Sequence, residues 1–181
     1  RFADLFAAGK LVPPDDDLAA DLYDLTQEMT AASGLPAYEV SNHARPGDES
    51  RHNLLYWRYG EYAGVGPGAH SRLIDGGNRV ALIAEKHPET WRQLVASRGH
   101  GLVSEDTVSP SEQAHEMLLM GLRINEGLDL AAYARLSNTP LSPARIATLE
   151  ELGLVKQKNA RLKASLAGRR ILNAVIAELA D

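Results

Sequence analysis

The chain has 181 residues, of which 44% are hydrophobic and 24% charged, and its 19 Lys+Arg against 24 Asp+Glu give a formal net charge of −5. That balance describes a globular protein able to bury one sizeable core or two small ones, and it provides no overall basic field of the kind nucleic acid attracts. There is no cysteine, so disulfides, thiolate zinc sites and cysteine-held iron–sulfur clusters are excluded from these residues; no run reaches the roughly 20 apolar residues of a membrane span and no signal peptide is visible, which points to a cytoplasmic location.

The first segment, "RFADLFAAGK", places Phe2, Leu5 and Phe6 on one helical face with Gly9 as a stop. It starts at Arg1 inside what already reads as an ordered element, so a piece of a longer protein is expected. Pro13-Pro14 and Asp15 to Asp17 suit the start of a second helix, with Leu18, Leu22, Leu25 and Met29 as its stripe and Gly34 at its end. "LPAYEVSN" alternates Tyr38 and Val40 with Glu39 and Ser41 and predicts a strand, completing an α/β unit; the polar run from Asn42 to Arg51 is then a loop. "HNLLYWR" is compatible with a short helix or an extended segment. "YAGVGPGA" reads as a buried strand, "SRLIDGGNRVALI" as a hairpin about Gly76-Gly77, and "HPETWRQLVASRG" as a helix between Pro88 and Gly99.

Gly99 to Pro110 is a turn-rich candidate boundary. Beyond it, "SPSEQAHEMLLMGLRINEG" predicts a helix capped by Ser111, with Ala114, Met117, Leu118 and Leu122 facing inward. Two short helices ("LDLAAYARL", "SPARIATLEELG") and two strand-like runs about Lys158-Asn159 follow. A last helix carries Ile171, Leu172, Val175, Ile176 and Leu179. Helix, helix, small hairpin and helix form a winged-helix-like layout. DNA binding is not expected from it, because "SPARIATLEELG" sets one arginine against two glutamates, although "VKQKNARLK" and Arg169-Arg170 are basic; a lid or scaffold for protein packing fits better.

Two stretches could carry chemistry. "GVGPGAH" is not a phosphate loop: its glycines alternate at Gly64, Gly66 and Gly68, Pro67 interrupts them, and neither a helix start nor Gly-Lys-Ser/Thr follows. In "HNLLYW" a helical reading puts His52 and Tyr56 on one face, where the imidazole is either satisfied by a backbone carbonyl beside core aromatics or free to act as a metal or haem-iron ligand. His43, His52 and His70 lack the tight spacing of a zinc site, and Arg45 and Arg51 sit in a charged loop where they could meet ligand carboxylates or phosphates. No nucleophile elbow or catalytic dyad is present.

"YEVSNHARPGDESRHNLLYWRYGEYAGVGPGAHSRL", with "MLLMGLRINEGLDL" and "LEELGLV" downstream, resembles the C-terminal half of the HemW family of radical S-adenosylmethionine haem chaperones, relatives of oxygen-independent coproporphyrinogen III oxidase. The resemblance implies an α/β fold: the C-terminal part of an incomplete (β/α) radical-SAM barrel and its extension over 1–100, then a mainly helical, winged-helix-like domain over 101–181. "HNLLYW" is similar to the HNxxYW motif of the haem-binding branch, which makes His52, Asn53, Tyr56 and Trp57 expected haem-binding residues and His52 the candidate ligand to haem iron. By the same resemblance Gly64, Gly66, Gly68 and His70 line the cofactor side of the barrel. The family's [4Fe-4S] cluster and S-adenosylmethionine belong to a CxxxCxxC motif that has no counterpart here, so no catalytic residue and no radical activity are expected of this polypeptide alone. The implied partners are haem or porphyrin, an unnamed haem-recipient protein with peripheral membrane contact through that recipient, and a second copy of the chain; nucleic acid is not among them. The alternatives are the oxidase itself and a non-catalytic interaction module.

Overall fold

The fold was obtained as a computed structural model that describes residues 2–180. The chain divides into two compact units, Arg1–Glu49 and Ser50–Asp181. The first holds helices α1 (Phe2–Ala7) and α2 (Asp16–Ala32). The Asp15 carboxylate caps α2 by accepting from the Leu18 N–H, and Asp16 and Asp17 complement the positive end of its dipole. The expected stripe of Leu18, Leu22, Leu25 and Met29 is present, and it lies exposed.

The strand expected at "LPAYEVSN" does not form. Ala37 and His43 make an isolated bridge and Tyr38 N–H donates to the Asn42 carbonyl, so the chain folds back within six residues. The Glu39 carboxylate, buried completely, accepts from both the backbone N–H and the hydroxyl of Ser41. This local satisfaction replaces the ladder that a strand would need.

The second unit begins with α3 (Arg51–Trp57), which settles the ambiguous "HNLLYWR" as a helix. Strands β1 (His70–Asp75) and β2 (Asn78–Ala84) form the expected hairpin, with Gly76 and Gly77 both at positive φ as a two-residue turn requires. Helix α4 (Pro88–Arg98) ends at Gly99 in the left-handed conformation. The predicted boundary stretch instead contains β3 (Leu102–Thr107), which pairs antiparallel with β2 to complete an open sheet of order β1-β2-β3.

Helix α5 (Pro110–Gly121) starts two residues earlier than expected: Pro110 occupies the first helical position, and the cap is Ser109, not Ser111, in a reciprocal box with Glu112. Strand β4 (Leu128–Asp129), α6 (Leu130–Ser137), α7 (Pro143–Glu151), β5 (Val155–Lys158) and β6 (Arg161–Ala164) follow, and the strands assemble as β4-β6-β5. This is the winged-helix-like arrangement. The closing helix is broken at Ile171 into α8 (Leu166–Arg170) and α9 (Leu172–Ala180), so Ile171 is exposed while Leu172, Val175, Ile176 and Leu179 are buried.

The main core lies in this second unit. Leu118 from α5, Leu122 at its C-cap, Leu128 from β4, Val155 and Leu162 from the hairpin and Val175 from α9 are all at most 2% exposed; Met117 of the expected α5 stripe is only half-buried. Among the described residues no helix is long and apolar enough to cross a membrane. Replacing Leu118 by Ala empties the centre of this core and is expected to cost about 3 kcal/mol in a urea unfolding titration; a cost under about 1 kcal/mol contradicts the packing described.

Candidate functional site

Helix α3 starts at Ser50, whose hydroxyl accepts from the Asn53 N–H at 3.3 Å. It ends in a tight reversal: Tyr59 N–H donates to the Tyr56 carbonyl at 2.8 Å and Gly60 N–H to the Leu55 carbonyl at 2.9 Å. In such an ending the residue after the cap is left-handed and usually glycine. Here it is Tyr59, at φ 57, a conformation that costs a non-glycine residue on the order of 1–2 kcal/mol.

Three side chains hold Tyr59 there. Its hydroxyl donates to Glu116 Oε2 on α5 at 2.8 Å, and the Arg79 guanidinium of β2 lies 3.8 Å from its ring centroid. Arg79, 7% exposed, donates from Nη2 to the Gly60 carbonyl at 2.8 Å and the Tyr59 carbonyl at 3.3 Å. Arg72 of β1 pairs with Glu116 at 2.8 Å. Burial raises the Tyr59 phenol well above its ordinary value, and the hydrogen bond to Glu116 adds to that, so it remains a donor. Burial pushes Glu116 up too, but the hydrogen bonds from Arg72 and Tyr59 outweigh it and hold the carboxyl below the usual range.

On the outer side of α3, His52 and Tyr56 meet edge to face with ring centroids 4.5 Å apart, and Tyr56 meets Tyr62 in the same way at 4.3 Å. Tyr62 is in turn fixed by a two-way backbone bridge to Arg72 of β1, at 2.8 and 2.9 Å. His52 is exposed, and no hydrogen bond engages its ring nitrogens among the described residues. The open alternative of a carbonyl-satisfied histidine is therefore not the arrangement adopted.

Tyr62 leads directly into the glycine segment. The buried strand expected at "YAGVGPGA" is an exposed turn, with Val65 92% exposed, Gly66 at φ 101 and Gly68 at φ 70. The backbone explains the alternation: two glycines supply left-handed positions, while a Cβ on Gly64 would collide with the His70 carbonyl oxygen. Gly64 N–H donates to Ser71 Oγ at 3.0 Å and Gly68 N–H to the Glu85 carbonyl at 2.8 Å, which anchors the turn at the mouth of the β1–β2 hairpin. His70 begins β1 and is exposed.

Trp57 leaves this group. It lies about 140° around the helix from His52 and, with Arg58, Met117, Gly121, Ile124 and Leu128, lines a cavity of about 250 Å³. Its indole N–H is buried without a partner, with the Arg123 guanidinium 5.9 Å from the ring centroid. The structure thus brings His52, Tyr56 and the approach to Gly64–His70 together and turns Trp57 toward α5 and β4. His43 lies in the first unit, its Nε2 3.3 Å from Gln27 Oε1. Among the described residues no cluster of three or more His, Cys, Asp or Glu could hold a metal ion.

Sequence reasoning passed over Tyr59, Tyr62, Arg72, Arg79 and Glu116, the residues that seat α3. The one available signal was the strand alternation that puts Arg79 on the same sheet face as the apolar Ala81 and Ile83. Because Glu116 is held low, its charge stabilises the fold above the ordinary carboxylate value of 4.5, and that contribution is lost as pH falls through the lower folded value. Urea midpoints measured between about pH 7 and 3 should show Glu116→Gln less stable than the parent at neutrality and converging with it in acid; a difference independent of pH contradicts this.

Comparison with known proteins agrees with this architecture. Residues 108–171 match the HemN C-terminal domain family. The mitochondrial radical S-adenosyl methionine domain-containing protein 1 of Bos taurus is 35% identical over 94% of this chain and 41% of its own length. The heme chaperone HemW of Mycobacterium tuberculosis H37Rv is 34% identical over 94% of this chain and 42% of its own. The chain thus spans about two fifths of the length of either relative. The structure of the radical SAM coproporphyrinogen III oxidase HemN from Escherichia coli matches with a TM-score of 0.65 at 18% identity, over 92% of this chain and 42% of that one. That likeness shows a shared α/β fold, here built from open sheets with no closed barrel among the described residues. Sequence similarity along nearly the whole chain and the match of residues 108–171 converge: the chain is a HemW-like segment that carries a HemN C-terminal domain.

Proposed function

We propose that the chain forms the haem-contacting part of a haem-delivery protein, with His52 as the ligand to haem iron. The observation that carries this reading is the state of His52: an exposed imidazole, oriented by Tyr56 and engaged by no hydrogen bond among the described residues. An imidazole held this way is pre-organised yet chemically free, which is what an iron ligand needs. Bound haem would supply an iron that the His52 imidazole would hold. Tyr56 would flank it, Asn53 lies on the next helical position, and the exposed Gly64–Gly68 turn and His70 follow along the chain from Tyr62. Trp57 supports the site from within, as packing beneath α3.

The similarity to heme chaperones supports this reading over the oxidase, to which the likeness is one of fold. With no cysteine, these residues do not fit a thiolate-held [4Fe-4S] cluster; the cluster and S-adenosylmethionine are assigned to a longer parent, and no radical step is derived for this chain. The same proposal divides the chain into a barrel portion over 1–100 and a C-terminal portion over 101–181. It implies a haem-recipient protein, a second copy of the chain, and a cytoplasmic location.

Haem titration followed in the Soret band tests it. The parent, His43→Ala and His70→Ala should show the shift of an imidazole-ligated haem, and His52→Ala should lose it. An unchanged shift in His52→Ala removes His52 as ligand.

A further inference from the structure

Charge is distributed unevenly along the chain. Residues 152–177 contain six of its 19 Lys+Arg and none of its 24 Asp+Glu. Four of those cations fall on β5 and β6, and their register decides where they sit. Lys156 is directly opposite Lys163, and Lys158 directly opposite Arg161. Alternation along a strand puts all four on one face, while Val155 and Leu162, together with Leu128 of β4, face the core.

Like charges directly opposite each other destabilise a β pair, and this hairpin has two such pairs in succession. Some of the charge is answered: Arg161 donates to the Gly127 carbonyl at 3.0 Å and lies 3.8 Å from Asp129, and Glu126 feels both Arg161 and Lys163. Glu150 approaches the outer edge of β5, where its carboxylate accepts from the Gln157 N–H at 2.7 Å. Lys156 and Lys158 are exposed and have no carboxylate partner among the described residues. Four cations spaced roughly 5 Å across and 7 Å along the strands therefore share one face of the hairpin, two of them unanswered by a carboxylate among the described residues, on an otherwise acidic protein.

Apolar side chains flank it. The Ser165 hydroxyl donates to the Gly153 carbonyl at 2.6 Å and Ser165 N–H to the Leu154 carbonyl at 2.9 Å, which joins the two ends of the hairpin. Next to this junction Leu152 is 64% and Leu166 53% exposed. We propose that this outer face of the β5–β6 hairpin docks the protein on an anionic lipid surface, with Lys156, Lys158, Arg161 and Lys163 toward the headgroups and Leu152 and Leu166 at the interface. A planar array of long cationic side chains beside exposed leucines matches a charged bilayer surface. Nucleic acid fits less well. Residues 152–177 contain no aromatic side chain to stack on a base, and α7, just before the hairpin, ends in Glu150 and Glu151 while its Arg145 is spent on the Glu178 carbonyl.

The test is co-sedimentation of the full chain, at low salt, with phosphatidylcholine vesicles and with vesicles containing about one third phosphatidylglycerol. The chain should bind only the anionic vesicles, and high salt should release it. Lys156→Gln with Lys158→Gln should weaken binding by about 30-fold, whereas Lys10→Gln with Lys86→Gln, an equal change in net charge elsewhere, should leave it within about 2-fold. Circular dichroism should confirm that both double variants are folded. Absence of binding to either vesicle, equal binding to both, an equal loss in the control pair, or retention on a DNA duplex without vesicle binding overturns the proposal.

Discussion

A buried arginine organises the second unit. Arg79 leaves β2 to lie against the Tyr59 ring and to satisfy two carbonyls at the end of α3, while Glu116, paired with Arg72, takes the Tyr59 hydroxyl. These groups come from three separate elements, so α3, the β1–β2 hairpin and α5 are joined through one polar knot. Such a knot costs stability wherever a member is left unsatisfied, as the buried Nε of Arg79 is among the described residues, and it specifies geometry through the bonds that are made. Its reward here is to hold a tyrosine in a left-handed position normally left to glycine, which fixes the direction in which α3 leaves the sheet.

Everything proposed for the site depends on that direction. Once α3 is seated, helical spacing sends His52 and Tyr56 to one side and Trp57 to the other. Tyr62 then locks Tyr56 to β1, and the glycine turn follows within the same few residues. The outer side thereby carries an oriented, exposed imidazole, from which Tyr56 and Tyr62 lead into the exposed glycine turn. The inner side packs Trp57 above a small cavity bounded by α5, β4 and α6.

How much of this the residues announced depended on whether the governing contacts were local. Helices α2, α4 and α5 and both hairpins were readable because caps, stripes and turn glycines act over a few positions. The failures lay in extended segments: β3 went unread in the turn-rich stretch before Pro110, and two expected strands did not form. At Glu39 a side chain satisfied the backbone locally and removed the need for a strand, and at Gly64–Gly68 the glycines were serving a turn where a strand's close approach was expected. The motif residues His52 and Tyr56 could be paired by spacing alone, and the same spacing would have separated Trp57. Arg72 and Glu116 were invisible, and Arg79 carried only its place in the strand alternation, because their meaning lies in contacts across as many as 57 positions, such as Tyr59 with Glu116. A resemblance to a family can name a motif, but it does not show what seats it.

Amide hydrogen exchange in Arg79→Gln tests the organising role of that arginine most directly. The account predicts that protection across α3 and its closing turn, Leu54 to Gly60, falls sharply, while α9 and the core of α5 keep the protection of the parent. Unchanged exchange in α3, or an equal loss throughout the second unit, would contradict it.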